Sequence, residues 1–127
     1  MCARPISVDN RRSGPCRAQQ WIAACGLRQL IDQTIVRARV EGVDVVVIWS
    51  DGRAVACERA CPHEQADLSL GEVSMGHLFC PRHAASFDLR DGRICEGWPS
   101  RPLRLYPVRI ANDKVWIDAE ALKSFVA

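Results

Sequence analysis

The chain has no apolar run long enough to cross a bilayer, and the apolar stretch that begins at Trp21 is too short for a signal-peptide core. Arg11-Arg12 could open a twin-arginine export signal, but residues 13–20 that follow are polar or small. No secretory signal is therefore read, and the expected location is cytoplasmic. No G-x-G-x-x-G occurs, so a dinucleotide-binding loop is not expected. The formal net charge is only +2, which argues against a dedicated nucleic-acid binder. Internal repeats and low-complexity tracts are lacking too. At 127 residues there is room for one core and no second sizeable domain.

Histidine is scarce, with three residues, whereas cysteine is plentiful, with seven. An odd number of thiols in a chain without a secretory signal suits a reducing compartment better than a disulfide scaffold. Two of the cysteines and two of the histidines fall into a doubled pattern. Cys61-Pro62-His63 is followed, after a spacer of residues 64–79, by Cys80-Pro81-Arg82-His83. Each pair sits on a short segment stiffened by proline, so each is expected to form a loop. Two thiolates and two imidazoles so arranged suit a [2Fe–2S] centre, with cysteines on one iron and histidines on the other. Zinc could draw on the same four residues. Paired zinc ligands normally stand two to four residues apart, and Cys61-x-His63 leaves one between, so spacing disfavours zinc.

The Cys-Pro-His and Cys-Pro-Arg-His boxes resemble the signature of the Rieske family, and the likeness extends from Trp21 to about Ile117. It implies one [2Fe–2S] cluster per chain held by Cys61, His63, Cys80 and His83. The cluster potential should fall roughly between −150 and +300 mV. The subtype follows from residues this chain does not have. Rieske proteins of cytochrome bc-type complexes bridge their ligand loops with two further cysteines, whose places here are Ala66 and Arg82. They also carry a serine two residues after the second ligand histidine, where this chain has Ala85. Donors to cluster sulfur raise the potential, so the lower part of the range is expected. Ala84 stands where family members usually have glycine.

An oxygenase catalytic subunit would need a second iron held by two histidines and a carboxylate, and only His77 is spare. The resemblance therefore implies an electron carrier without substrate chemistry of its own. Such a carrier would pass single electrons from a flavoprotein reductase to a terminal oxygenase acting on aromatic or other small organic compounds. The alternative is a subunit of a larger oxidoreductase, such as the small subunit of a nitrite reductase; a redox-sensing module is a third class. Docking is expected around His63 and His83, rimmed by Gln65, Arg82 and Trp98, with Glu64 and Asp67 nearby.

The remaining pattern is all-β, an antiparallel sandwich or barrel with a small cluster-binding subdomain formed by two loops. Residues 1–20 read as a polar arm with four arginines against one aspartate, residues 21–118 as the domain, and residues 119–127 as a C-terminal tail with a short helix. Strands are expected over residues 21–25, 35–41, 43–50 and 53–58, with one helical turn over 27–31. The run Val45-Val46-Val47-Ile48 suggests burial on both faces. Asp51-Gly52 and Met75-Gly76 mark turns, and residues 77–79 form a strand delivering Cys80. Residues 86–96 read as a hairpin, 103–110 as one returning strand, and 115–117 as the last strand. Cys25 and Cys57 fall within strands and are expected to pack in the core. Trp98 lies in a segment that resembles the family's proline-bearing loop over the cluster.

Overall fold

The computed structural model describes residues 20–62, 65–81, 85–97 and 101–124. Its strands are β1 (Trp21–Gly26), β2 (Ile35–Val40), β3 (Val43–Ser50), β4 (Arg53–Glu58), β5 (Glu72–Ser74), β6 (His77–Phe79), β7 (Ser86–Asp88), β8 (Ile94–Glu96), β9 (Leu105–Tyr106), β10 (Val108–Ala111) and β11 (Lys114–Asp118). The helices are α1 (Leu27–Gln33) and α2 (Ala119–Ser124), with a 3₁₀ turn at Leu68–Leu70. The strands form three antiparallel sheets, ordered β1-β11-β10, β2-β3-β4-β9 and β5-β6-β7-β8.

Four hairpins turn on two residues, Glu41-Gly42, Asp51-Gly52, Met75-Gly76 and Asn112-Asp113, all eight with positive φ. That is the backbone of a type I′ turn, whose twist matches that of the strands it joins. Register follows from these turns, with Ser50 facing Arg53 and Ser74 facing His77.

β3 is the middle of the molecule. Val45 and Val47 enter one core with Leu30, Val36, Val115, Ile117 and Leu122, while Val46 and Ile48 enter the other with Leu68, Leu78 and Phe87. Strand alternation sends successive side chains to opposite faces, so the four-residue apolar run is buried on both sides as its sequence implied. The β2-β3-β4-β9 sheet thus separates an inner core, covered by β1-β11-β10 and the helices, from an outer core covered by β5-β6-β7-β8. Cys57 lies fully buried in the outer core, and half-buried Cys25 packs against the inner one. The outer sheet has strands of three residues each, too short to stand alone. Its stability comes from burying Leu78 and Phe87, at about 1.5–3 kcal/mol for each side chain.

The pattern over residues 103–110 does not form one strand. The chain breaks at Pro107: β9 pairs with β4 in the middle sheet, and β10 pairs with β11 in the inner one. Pro107 has no N–H for a ladder, which makes it the natural place to leave one sheet for another; its carbonyl accepts from the Asp118 N–H at 3.3 Å. Helix α1 also runs two residues beyond the expected turn, to Gln33, and its cap residue Thr34 donates its N–H to the Leu30 carbonyl at 2.8 Å. Ala119 and Leu122 of α2 are wholly buried in the inner core. Asp118 Oδ1 accepts from the Glu120 N–H and from the Gln20 N–H, tying both ends of the domain together. No helix among the described residues is long and apolar enough to cross a membrane.

Candidate cluster-binding site

Two loops leave the outer core in parallel constructions. After β4, the Cys61 N–H donates to the Ala66 carbonyl at 2.9 Å; after β6, the Cys80 N–H donates to the Ala85 carbonyl at 2.9 Å. Both bonds run from a cysteine to the residue five positions on, and proline follows the cysteine in both. The same closure is therefore built twice from the same sequence pattern. Cys61 and Cys80 are both 0% exposed and share one core cluster with Ala66, Ala85, Leu68, Leu78 and Phe87. His63 and His83 lie outside the described residues, as do Glu64, Arg82, Ala84 and Trp98. Gln65 is described, exposed and held at φ +61°, its N–H bonded to the Cys61 carbonyl at 2.7 Å.

The first loop has a clamp at its neck. Ala60 and Asp67 form a β-bridge, and the Leu68 N–H donates to the Arg59 carbonyl. Across that bridge the Arg59 guanidinium contacts Asp67 Oδ2 at 2.8 Å, while Asp67 Oδ1 accepts from the Ser69 N–H and hydroxyl and so caps the 3₁₀ turn. The Arg59 hydrogen bond above all, then the Ser69 bonds, hold the Asp67 carboxyl well below the usual carboxylate range. Asp67 is thus a half-buried carboxylate paired with Arg59. Its depressed folded-state pKa means that its contribution is complete above about pH 4 and falls away as pH drops further toward the folded value. Asp67→Asn is expected to cost about 1–2 kcal/mol at pH 7. In urea melts followed by circular dichroism, that gap should narrow between pH 4 and pH 3; an unchanged gap would mean that the ion pair is not what closes the neck.

The second loop is framed by β6 and β7, with Phe79 facing Ser86, and has no such ion pair among its described residues. A second anchor comes from far along the chain. Glu58, three residues before Cys61, receives both terminal nitrogens of Arg101 at 2.7 Å and the Arg104 N–H at 2.8 Å. This fixes the chain directly after the segment carrying Trp98. Neither pair leaves a local signal in the sequence, because 8 and 43 residues separate the partners.

The donor chemistry fits an iron–sulfur cluster. Two cysteine thiols, buried at matched places on twin loops and sharing an apolar floor, are the half of the ligand set visible here; neutral imidazoles would complete it. A cleft of about 440 Å³ lies beside the first neck, lined by Asp44, Glu58, Arg59, Gln65, Asp67 and Tyr106, and neither cysteine opens into it. In Cys57, by contrast, burial pushes the thiol pKa far up, which keeps it protonated and suits packing.

Residues 20–107 match the Rieske [2Fe-2S] domain. The ferredoxin component of the naphthalene 1,2-dioxygenase system of Pseudomonas putida is 28% identical over 99 residues, covering 78% of this chain and 95% of that protein. Among solved structures, the Sphingomonas yanoikuyae B1 ferredoxin superposes with a TM-score of 0.71 at 27% identity, over 78% of this chain and 98% of that one. A complex of reduced oxygenase and oxidized ferredoxin in carbazole 1,9a-dioxygenase contains a chain with a TM-score of 0.69 at 25% identity, over 77% of this chain and 92% of that one. With its doubled cysteine loops and a match over more than half its length, the chain belongs to the Rieske [2Fe–2S] domain family.

Proposed function

We propose that this protein is a Rieske ferredoxin, carrying single electrons from a flavoprotein reductase to a terminal oxygenase that acts on aromatic or other small organic compounds. The observation that carries this reading is the pair of identically closed cysteine loops on one buried floor. Relatives of similar length that are themselves ferredoxin components of dioxygenase systems support it. The chain does no substrate chemistry of its own.

Cys61, His63, Cys80 and His83 would hold the [2Fe–2S] cluster, which supplies one-electron redox chemistry when bound. The cysteines anchor it from the dry side, where Leu68, Leu78 and Phe87 exclude water. His63 and His83 give the edge nearest a partner. On the family resemblance Arg82 and Trp98 would rim it, so docking would centre there and be weak and salt-sensitive, as a shuttle requires. Ala66 and Arg82 leave the loops without a bridging disulfide, and Ala85 offers no hydroxyl to sulfur. Work in the cytoplasm suits the exposed thiol of Cys95.

Reconstitution tests the role. With a flavoprotein reductase and a terminal oxygenase from its own genome, the purified protein should restore NADH-dependent oxygenation, which stops when it is omitted. Voltammetry should place its midpoint near or below roughly 0 mV, the lower half of the Rieske range. Stable co-purification with one large oxidoreductase, with no shuttling between two partners, would instead support the permanent-subunit alternative.

A further inference from the structure

We propose that His77, Asp88 and Cys95 form a second metal site, separate from the cluster loops, for a divalent cation of the zinc class. His77 of β6 and Asp88 of β7 face each other in register, so their side chains share one face of the outer sheet. Cys95 joins them through an irregularity. In the β7–β8 pairing Ser86 faces Glu96 and Phe87 faces Ile94, which leaves Cys95 as the extra residue of a bulge. Bulges re-aim a side chain, and here the result is a nitrogen, an oxygen and a sulfur donor all within 4.8 Å of one another.

Burial is graded across the site. Asp88 is buried, His77 half-buried and Cys95 exposed. A cavity of about 240 Å³ opens there, lined by His77, Phe79, Ser86, Cys95 and Glu96. This gives a dry floor, an open mouth, and room for Glu96 or water in a fourth position. Mixed nitrogen, oxygen and sulfur donors suit zinc, which takes each at about 2.0–2.3 Å; calcium and magnesium require oxygen alone. Thiolate and carboxylate together balance the two charges of the ion.

Asp88 already has partners, and they decide whether an ion can enter. The Arg90 N–H donates to Oδ1 at 2.8 Å and orients the carboxylate, as an outer partner of a metal ligand does. The Arg90 side chain reaches both oxygens, at 3.2 and 2.8 Å, and Arg93 reaches Oδ2 at 3.5 Å. Those two side chains are 76% and 66% exposed while that of Asp88 is 4% exposed, so their guanidinium groups can swing out into water only as an entering cation takes over their charge on the buried carboxylate. The His77 ring is steadied by an edge contact with Phe79, 6.4 Å between centroids. An ion bound there would fasten β6, which leads to Cys80, to β7 and β8. It would act as a structural clip beneath the second ligand loop.

The test uses the full, cluster-bearing protein dialysed against micromolar zinc chloride with a weak competing chelator. Zinc, iron and sulfide per chain and the thermal midpoint are then measured. One zinc per chain is expected beyond an unchanged iron and sulfide content, with a raised midpoint. Cys95→Ser and His77→Ala should each weaken zinc binding at least tenfold and abolish the midpoint response, while iron and sulfide stay at wild-type levels. Three outcomes would overturn the site: no bound zinc, zinc gained with an equal loss of iron, or wild-type zinc affinity in both variants.

Discussion

Replacing either Cys61 or Cys80 by serine is expected to yield protein with almost no iron, no visible absorption and no EPR signal after reduction. Cys25→Ser, Cys57→Ala and Cys95→Ser should keep all three. The contrast rests on position as much as on residue type. All five are cysteines, and Cys57 is as completely buried as Cys61 and Cys80. Yet Cys57 sits within β4, paired on its two sides with Val46 and Leu105, while the other two open loops whose N–H groups close on the residue five places on. A ligand must stand where backbone leaves the sheet and a group of atoms can be enclosed between loops. Folding should suffer together with the spectrum, because ligation ties two segments of one core and binding free energy becomes folding free energy. Cys57→Ala should cost only about 1 kcal/mol of packing. Iron analysis beside denaturant melts would separate the two effects. Near wild-type iron in both Cys61→Ser and Cys80→Ser would remove these residues from the ligand set.

Much of this arrangement can be read from the chain. The Asp51-Gly52 turn signal between two strand-like runs implied the β3–β4 hairpin, and the unbroken Val45–Ile48 run implied a strand buried on both faces; both are present. The doubled Cys-Pro pattern marked two loops, and those loops close identically at their cysteine ends. Three features could not be read, for related reasons. Alternation over residues 103–110 reports which face a side chain takes but not which sheet the strand joins, so the break at Pro107 passed as one strand. The Arg59–Asp67 and Glu58–Arg101 pairs depend on where the folded chain brings distant residues, and charges on their own look like solvated surface. Cys95 was legible only as an unassigned thiol, because the bulge that turns it toward His77 is a property of the β7–β8 pairing. His63 and His83 remain assigned on their spacing, being outside the described residues.

The other large effect is expected from a methyl group. Gly92→Ala should destabilise the protein by about 3 kcal/mol or more, whereas Gly52→Ala should cost about 1 kcal/mol. Both glycines have positive φ, +82° at Gly92 and +74° at Gly52, so the backbone penalty for an L side chain is shared. Their surroundings differ. A Cβ at Gly52 would meet nothing within 4 Å, but at Gly92 it would stand 2.1 Å from the Leu103 carbonyl oxygen. That oxygen belongs to backbone and cannot swing aside like the end of a side chain. The Leu103 N–H is bonded to the Gly92 carbonyl at 2.8 Å, so pushing Leu103 away breaks this bond as well. Leu103 lies in the outer core with Cys61 and Cys80, and its neighbours Arg101 and Arg104 bind Glu58. Displacement at Gly92 should therefore reach the ligand loops, and Gly92→Ala should lose iron faster than wild type on incubation with a chelator while Gly52→Ala does not. Equal stability and equal iron retention in the two variants would show that the 101–104 segment moves aside freely and does not hold the loops in place.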